Sequence, residues 1–240
     1  MKLEPIPRGS LTARVTERLR SAILDGELEL GDALSEDKLA KTLGVSRSPV
    51  REALAALEQQ GLIDVRPQRG SFVFLPSQED TKNLCEFRRA IELEALRLAM
   101  QRQPENTVAA LREAAEDMQV ATGEGDGLRS ARADDRFHDT ALANSGNPYL
   151  VNAYRLVSGK VAALRAHRSA LPTRKQANAE HFAIVAMLEG GDVDGALREL
   201  SVHIIKMAER YALNLDTPQS RLNRRSARSA SIEHLGPLVD

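Results

Sequence analysis

The sequence predicts a mostly α protein: a winged helix-turn-helix over residues 1–76, an antiparallel bundle of about six helices over 77–216, and an Arg-rich, disordered tail over 217–240. Three observations lead there. Aromatic residues make up 3% of the chain with no Trp, while 42% is hydrophobic, so the core must be built from Leu, Ala, Val and Ile, which favours helix on helix. Apolar residues recur at helical spacing along nearly all of the 240 residues, a length that can bury a sizeable core. The break in that pattern is one short β-rich stretch after Gly61.

The first helix is expected in "SLTARVTERLRSAILDGEL", with Leu11, Val15, Leu19, Ala22 and Ile23 on one stripe, Ser10 as N-cap and Gly26 as stop. "LSEDKLAKTLGVS" gives a second, capped by Ser35, with Leu39 and Leu43 on one face and Gly44 at its end. A third follows in "SRSPVREALAALEQQG". There Ser46 can cap, Pro49 is tolerated in the first turn, and Val50, Leu54 and Leu57 form the apolar face up to Gly61. Then "LIDVRPQRGSFVFL" reads as two strands, 62–66 and 71–75, around "PQRG". Three helices with a tight turn between the second and third, followed by a hairpin, make a winged helix-turn-helix.

Beyond Ser77 only amphipathic helices follow, at 79–102, 105–122, 127–144, 147–170, 174–189 and 192–214. They share no repeat. The tail segment "RLNRRSARSAS" lacks apolar periodicity and is expected to be disordered.

A formal net charge of -1 gives no global attraction to nucleic acid or membrane, so any such binding needs local patterning. The single cysteine, Cys85, excludes an internal disulfide and a Cys-rich metal cluster. Neither a signal peptide nor a membrane span is expected, which makes the cytoplasm the default location.

The local charge lies on the third helix and the wing. Arg47 and Arg51 stand one turn apart, so both guanidinium groups project from one side, where one can reach guanine O6 and N7 while the other clamps a phosphate. Ser46 and Ser48 add hydroxyls at the helix N-terminus, which favours a phosphate oxygen. Arg69 and Gly70 suit a close approach at the wing tip, and Lys41 and Arg66 extend the basic surface. Double-stranded operator DNA is the expected partner. Solvated helix charges and a hairpin that merely packs are the bland alternative.

The run "LSEDKLAKTLGVSRSPVREALAALEQQGLIDVRPQRGSFV" resembles the DNA-binding domain of the GntR superfamily of bacterial transcription regulators. The resemblance implies that Arg47 and Arg51 contact an operator, assisted by Arg69 and Gly70. Some members carry a DNA-contacting Arg early in the second helix, where this chain has Asp37.

Of the five His, three lie on inward-facing stripes. His138 shares one with Ala131, Asp134, Ala141 and Leu142; His181 with Ile184, Val185 and Leu188; His203 with Ala196, Leu200 and Met207. A buried imidazole needs a partner, so three on different helices want a common explanation. Asp134 and His138, at i and i+4, present both side chains to one point, and His181 and His203 could complete a shell of three nitrogens and one oxygen around a divalent Zn, Ni or Mn ion. Hydrogen-bonded core imidazoles are the alternative. His167 and His234 are set aside.

"DDRFHDTALANSGNP", "EHFAIVAML" and "VHI" resemble blocks of the helical ligand-binding (FCD) domain of the FadR-like branch of that superfamily. The resemblance implies metal ligands at those same four positions. It further implies an Arg that binds an effector's carboxylate, matched by Arg88 in "RRAIE", although pairing of Arg88 with Glu92 is equally open. The expected function is therefore that of a homodimeric regulator, not an enzyme, that responds to a small organic acid, with repression relieved by the acid as the commoner family logic. A regulator that senses the ion itself and a metallo-hydrolase fused to a DNA-binding domain are the rivals. No H-E-x-x-H and no nucleophile motif accompanies the cluster.

Overall fold

The computed structural model describes residues 10–166, 171–215, 232 and 235–238. The described residues fall into two compact units that divide between Leu75 and Pro76.

The first unit runs α1 (Leu11–Leu24), β1 (Ala33–Leu34), α2 (Glu36–Leu43), α3 (Arg47–Gln59), β2 (Ile63–Arg66) and β3 (Gly70–Val73). The Ser10 side chain caps α1 by accepting from the Ala13 amide at 3.2 Å, and Ser35 caps α2 by accepting from Lys38 at 3.4 Å. Ser46 occupies the N-cap of α3, but its hydroxyl makes no capping bond, which leaves that helix end unspent. Gly44 ends α2 with φ 69°, a left-handed conformation that lets the chain reverse into α3 at no Cβ cost.

The sheet has the order β1-β3-β2 and is antiparallel throughout, with Ile63 opposite Val73 and Arg66 opposite Gly70. The hairpin is thus the expected one, with β3 starting and ending earlier than the sequence suggested. The two-residue β1, which pairs Ala33 with Phe72, carries too short a pattern to be read in sequence. Behind the sheet α1 packs across α3, and Val15, Leu19, Ile23, Val50, Leu54 and Leu57 are buried between them.

Most of the tail expected to be disordered lies outside the described residues, as do His167, His234 and the expected helical residues 167–170. The described part of the tail is packed. Ile232 and Leu235 are buried in the first unit, the Arg18 guanidinium donates to the Leu235 carbonyl at 2.9 Å, and the Leu238 amide donates to the Leu43 carbonyl at 3.2 Å. The Arg-rich run hid these apolar residues from a reading by composition.

The second unit consists of α4 (Gln78–Arg102), α5 (Pro104–Glu124), α6 (Gly127–Asn144), α7 (Pro148–Ala166), α8 (Leu171–Glu189) and α9 (Val193–Leu215). Ser77 and Asp80 close a reciprocal capping box at the start of α4, and Pro104 stands in the first turn of α5. Alanines on the facing sides of α5 (Ala114, Ala115, Ala121) and α6 (Ala133, Ala141) are buried and let these helices approach closely. α6 also packs on α4 and α7, while α9 packs on α4 and α8. That arrangement turns the inner faces of α4, α6, α8 and α9 toward one another. None of the described helices is long and apolar enough to cross a membrane.

Leu57, fully buried on α3, tests this core. Leu57→Ala is expected to destabilise the first unit by about 2–5 kcal/mol in chemical denaturation. A loss below about 1 kcal/mol would place Leu57 outside a packed interior.

Candidate functional site

On the first unit the exposed N-terminal end of α3 presents Ser46, Arg47, Ser48 and Arg51 to solvent. The two arginines converge on one carboxylate of α2. Arg51 holds Glu36 through Nε at 3.2 Å and Nη2 at 3.0 Å, and Arg47 reaches Glu36 at 3.4 Å. Arg47 also pairs with Asp37 at 3.0 Å, so two acidic residues of α2 hold its guanidinium. The hydrogen bond from Arg51 chiefly, against a smaller cost of burial, holds the Glu36 carboxyl below the usual range and keeps it anionic. Glu52 takes the hydroxyls of Thr12 and Ser48. At the wing tip Arg69 and Gly70 are exposed, with Gln68 (φ 62°) and Gly70 (φ 100°) left-handed to make the turn. Arg66 lies over the Phe72 ring at 4.5 Å, which stiffens the base of the wing.

In the second unit Asp134, His138, His181 and His203 come together as the helical stripes suggested, all buried. The Nε2 atoms of His181 and His203 are 3.3 Å apart, as are those of His203 and His138. Asp134 Oδ1 stands 3.3 Å from His181 Nε2 and 3.7 Å from His138 Nε2. Adjacent ligands around a tetrahedral ion with bonds of about 2.0–2.1 Å are about 3.3 Å apart, so the donor spacing fits such an ion. Phe137 stacks on the His181 ring with centroids 3.8 Å apart and walls that side with apolar surface.

Two carboxylates that sequence reasoning did not place beside the imidazoles fix two of them. His138 Nδ1 meets Glu92 Oε2 at 2.7 Å, and His203 Nδ1 meets Glu180 Oε2 at 2.7 Å. A carboxylate can only accept here, so each Nδ1 carries the proton and each Nε2 turns a lone pair inward. Burial, then the charges of Arg165 and Arg88, drive the His138 pKa well below its ordinary value, which keeps the ring neutral. Burial raises the Glu180 carboxyl, but hydrogen bonds from His203, Arg210 and Lys206 outweigh it and hold the group well below its usual range. Lone pairs of this kind facing one point repel unless a cation lies among them. The arrangement is suited to holding one.

Arg88 is 1% exposed and chelates Glu92 through Nε at 2.6 Å and Nη2 at 3.3 Å, with Nη1 against Met207 Sδ at 3.1 Å. Pairing with Glu92, the alternative left open by the sequence, is what the folded chain contains. A second buried arginine, Arg165 of α7, faces Asp134 Oδ2 at 3.2 Å and donates to Asp135. Its signal in sequence was weak, one of two arginines flanking His167. Asp134 thus bridges the imidazoles, through Oδ1, and Arg165, through Oδ2, while Asp135 meets Arg165.

Comparison with known proteins agrees with both halves. The FCD domain matches residues 83–206, and the bacterial regulatory proteins of the gntR family match residues 11–73. An HTH-type transcriptional regulator of Agrobacterium vitis is 38% identical over 128 residues, 52% of this chain and 75% of that protein. The Nta operon transcriptional regulator of Aminobacter aminovorans is 27% identical over 205 residues, covering 79% and 94%. Among solved structures, a GntR transcriptional regulator from Rhodococcus sp. RHA1 superposes with TM-score 0.74 at 25% identity, covering 84% of this chain and 97% of that one.

Glu92 links Arg88 to His138, and its removal would strand a buried guanidinium. Glu92→Ala is therefore expected to cost about 3–5 kcal/mol of stability in chemical denaturation. A cost under about 1 kcal/mol would mean that the pair is not held in a dry interior.

Proposed function

The chain belongs to the gntR family of bacterial regulatory proteins and carries an FCD domain, and on that premise we propose that this DNA-binding transcription regulator holds a divalent metal ion in its second unit and responds there to a small carboxylate effector. The observation that carries the proposal is the convergence of Asp134, His138, His181 and His203, each buried, with the carboxylates of Glu92 and Glu180 behind two of the imidazoles. Three imidazoles and one carboxylate suit Zn, Ni or Mn. When bound, the ion would supply a Lewis-acidic point to which an effector's carboxylate can coordinate, beside Arg88.

On the first unit, α3 would enter the major groove. Arg47 and Arg51 would exchange Glu36 for guanine O6 and N7 and for a phosphate, with Ser46 and Ser48 at the helix N-terminus and Arg69 and Gly70 of the wing against the backbone. One reading helix covers few base pairs, so a homodimer on a palindromic operator is the natural form. Tyr149 and Leu156 support it: they are 82% and 71% exposed on α7, an apolar surface suited to a second copy. Such a protein acts in the cytoplasm, and the direction proposed is repression relieved by the acid.

One observation favours a second reading, in which the ion alone is the signal. Arg88 is already neutralised by Glu92, so an organic acid must compete with a built-in carboxylate. The hydrolase reading is weaker, because Glu92 and Glu180 are committed to Arg88, His138, His203, Lys206 and Arg210, which leaves neither as a general base.

Titrating operator binding with metal alone and then with metal plus carboxylic acids separates the two regulatory readings. A shift on adding acid supports the first, and a full response to metal alone supports the second. Arg47→Ala is expected to cost roughly 1–3 kcal/mol in specific operator binding, and unchanged affinity removes it from the reading helix. His181→Ala is expected to lower the metal bound per chain in elemental analysis; full occupancy in that variant would refute the assigned ligand set.

A further inference from the structure

The chain leaves its first unit at Leu75 and rejoins it near its C-terminal end. The returning stretch is short and built for contact. Ile232 and Leu235 stand three residues apart, and the Leu235 amide donates to the Ile232 carbonyl at 3.1 Å, a single turn that puts both side chains on one side. They are 2% and 4% exposed. Gly236 follows in the left-handed region with φ 64°, and the exposed Pro237 after it has no amide to leave unpaired, so the chain bends away from the turn and brings the Leu238 amide inward.

Its contacts fall on α1 and on the end of α2. Arg18 of α1 grips Glu27 with Nη1 at 3.3 Å and Nη2 at 2.8 Å, and Nη2 also donates to the Leu235 carbonyl at 2.9 Å. The last four carbonyls of a helix have no partner within it. At the end of α2 the amides of Gly44 and Val45 take the carbonyls of Lys41 and Ala40, and the Leu238 amide takes that of Leu43 at 3.2 Å. Leu43 is the last residue before Gly44, whose left-handed conformation turns the chain into α3. The returning segment thus holds, from outside, the turn that aims the reading helix. A tail that only lay against the surface would not account for a buried apolar pair and two backbone hydrogen bonds together.

We infer that residues 232–238 are a docking motif whose partner is the α1–α2 face of this chain's own first unit, and that the seated motif positions the turn before α3 for operator binding. The DNA-binding unit is then discontinuous in sequence: residues 10–75 supply the reader, and residues 232–238 complete its support. Without the motif, Ile232 and Leu235 no longer cover the surface beneath them and the Leu43 carbonyl loses its donor. The N-terminal end of α3 gains freedom that must be given up on binding, which weakens the fit of Arg47 and Arg51 to DNA. The operator part of this inference rests on the role proposed above for α3; the docking itself does not.

The test compares the full-length protein with a chain ending at Ser231 and with Leu235→Asp and Leu235→Met in the full chain. Backbone hydrogen exchange without DNA reads the docking, and binding to a duplex selected by the wild-type protein from a randomised pool reads its consequence. In the shortened chain and in Leu235→Asp, the amides of α1 and of the turn between α2 and α3 are expected to exchange at least several-fold faster, with those of α5 and α6 unchanged as an internal reference. Duplex affinity is expected to fall at least several-fold in both. Leu235→Met, which keeps the volume and the apolar character, is expected to match the wild type in both readouts. A peptide of residues 231–240, added in excess to the shortened chain, should restore part of the protection, which a general loss of folding would not allow. Exchange of the α1 and α2 amides at the wild-type rate in the shortened chain overturns the docking, and unchanged or tighter duplex binding overturns the positioning role. If the wild-type protein selects no duplex, or Arg47→Ala leaves its binding unchanged, the DNA-reading role of α3 fails instead, and the exchange result stands on its own.

Discussion

Three imidazole nitrogens and one carboxylate oxygen, drawn from α6, α8 and α9, meet within 4.8 Å of one another in a dry interior, and the rest of the second unit is arranged around that meeting. Such a cluster tolerates little slack, since a buried polar group that loses its partner costs more than a packed apolar one gains. The supporting carboxylates show how it is managed. Glu92 on α4 fixes His138, and Glu180 on α8 fixes His203, so each imidazole presents its Nε2 with the proton parked on the far side. Arg88, Arg165 and Arg210 then balance the carboxylates. Helix positions, tautomers and charges are thereby coupled, and the proposed ion would sit where all three constraints meet.

The two units share a device. In the first, Glu36 holds Arg47 and Arg51; in the second, Glu92 holds Arg88. In each case an internal carboxylate occupies a guanidinium that, under the proposed function, would meet an external acceptor, a phosphate or base edge in one unit and an organic acid in the other. The environments set different thresholds. Arg47 and Arg51 are more than half exposed, so an exchange of partners there is inexpensive. Arg88 and Glu92 are fully buried, and separating them demands that the incoming ligand replace each hydrogen bond and charge the pair gives up.

Much of this was legible in the chain itself. The helices were readable because apolar residues repeat with helical period and capping residues mark their ends, as Ser10, Ser35 and Gly44 do. Asp134 and His138 were readable because they stand one turn apart on one helix, and His181 and His203 because each shares a stripe with obvious core residues. The contacts of Glu92 with His138, of Glu180 with His203 and of Arg165 with Asp134 were not, for a common reason: each crosses from one helix to another, and no spacing along one helix announces which neighbour a side chain will face. Glu180 is adjacent to His181 in sequence yet serves His203. Likewise β1 is two residues long, and Ile232 and Leu235 are apolar residues after an Arg-rich run, so local pattern carried too little signal to place either.

The central claim is that the four converging ligands hold a divalent ion. Anomalous diffraction from crystals of natively purified protein tests it most directly. The expected result is one anomalous peak per chain, about 2 Å from Asp134 Oδ1 and from the Nε2 atoms of His138, His181 and His203. Crystals soaked with zinc in which those four side chains keep their positions and no peak lies among them would contradict it.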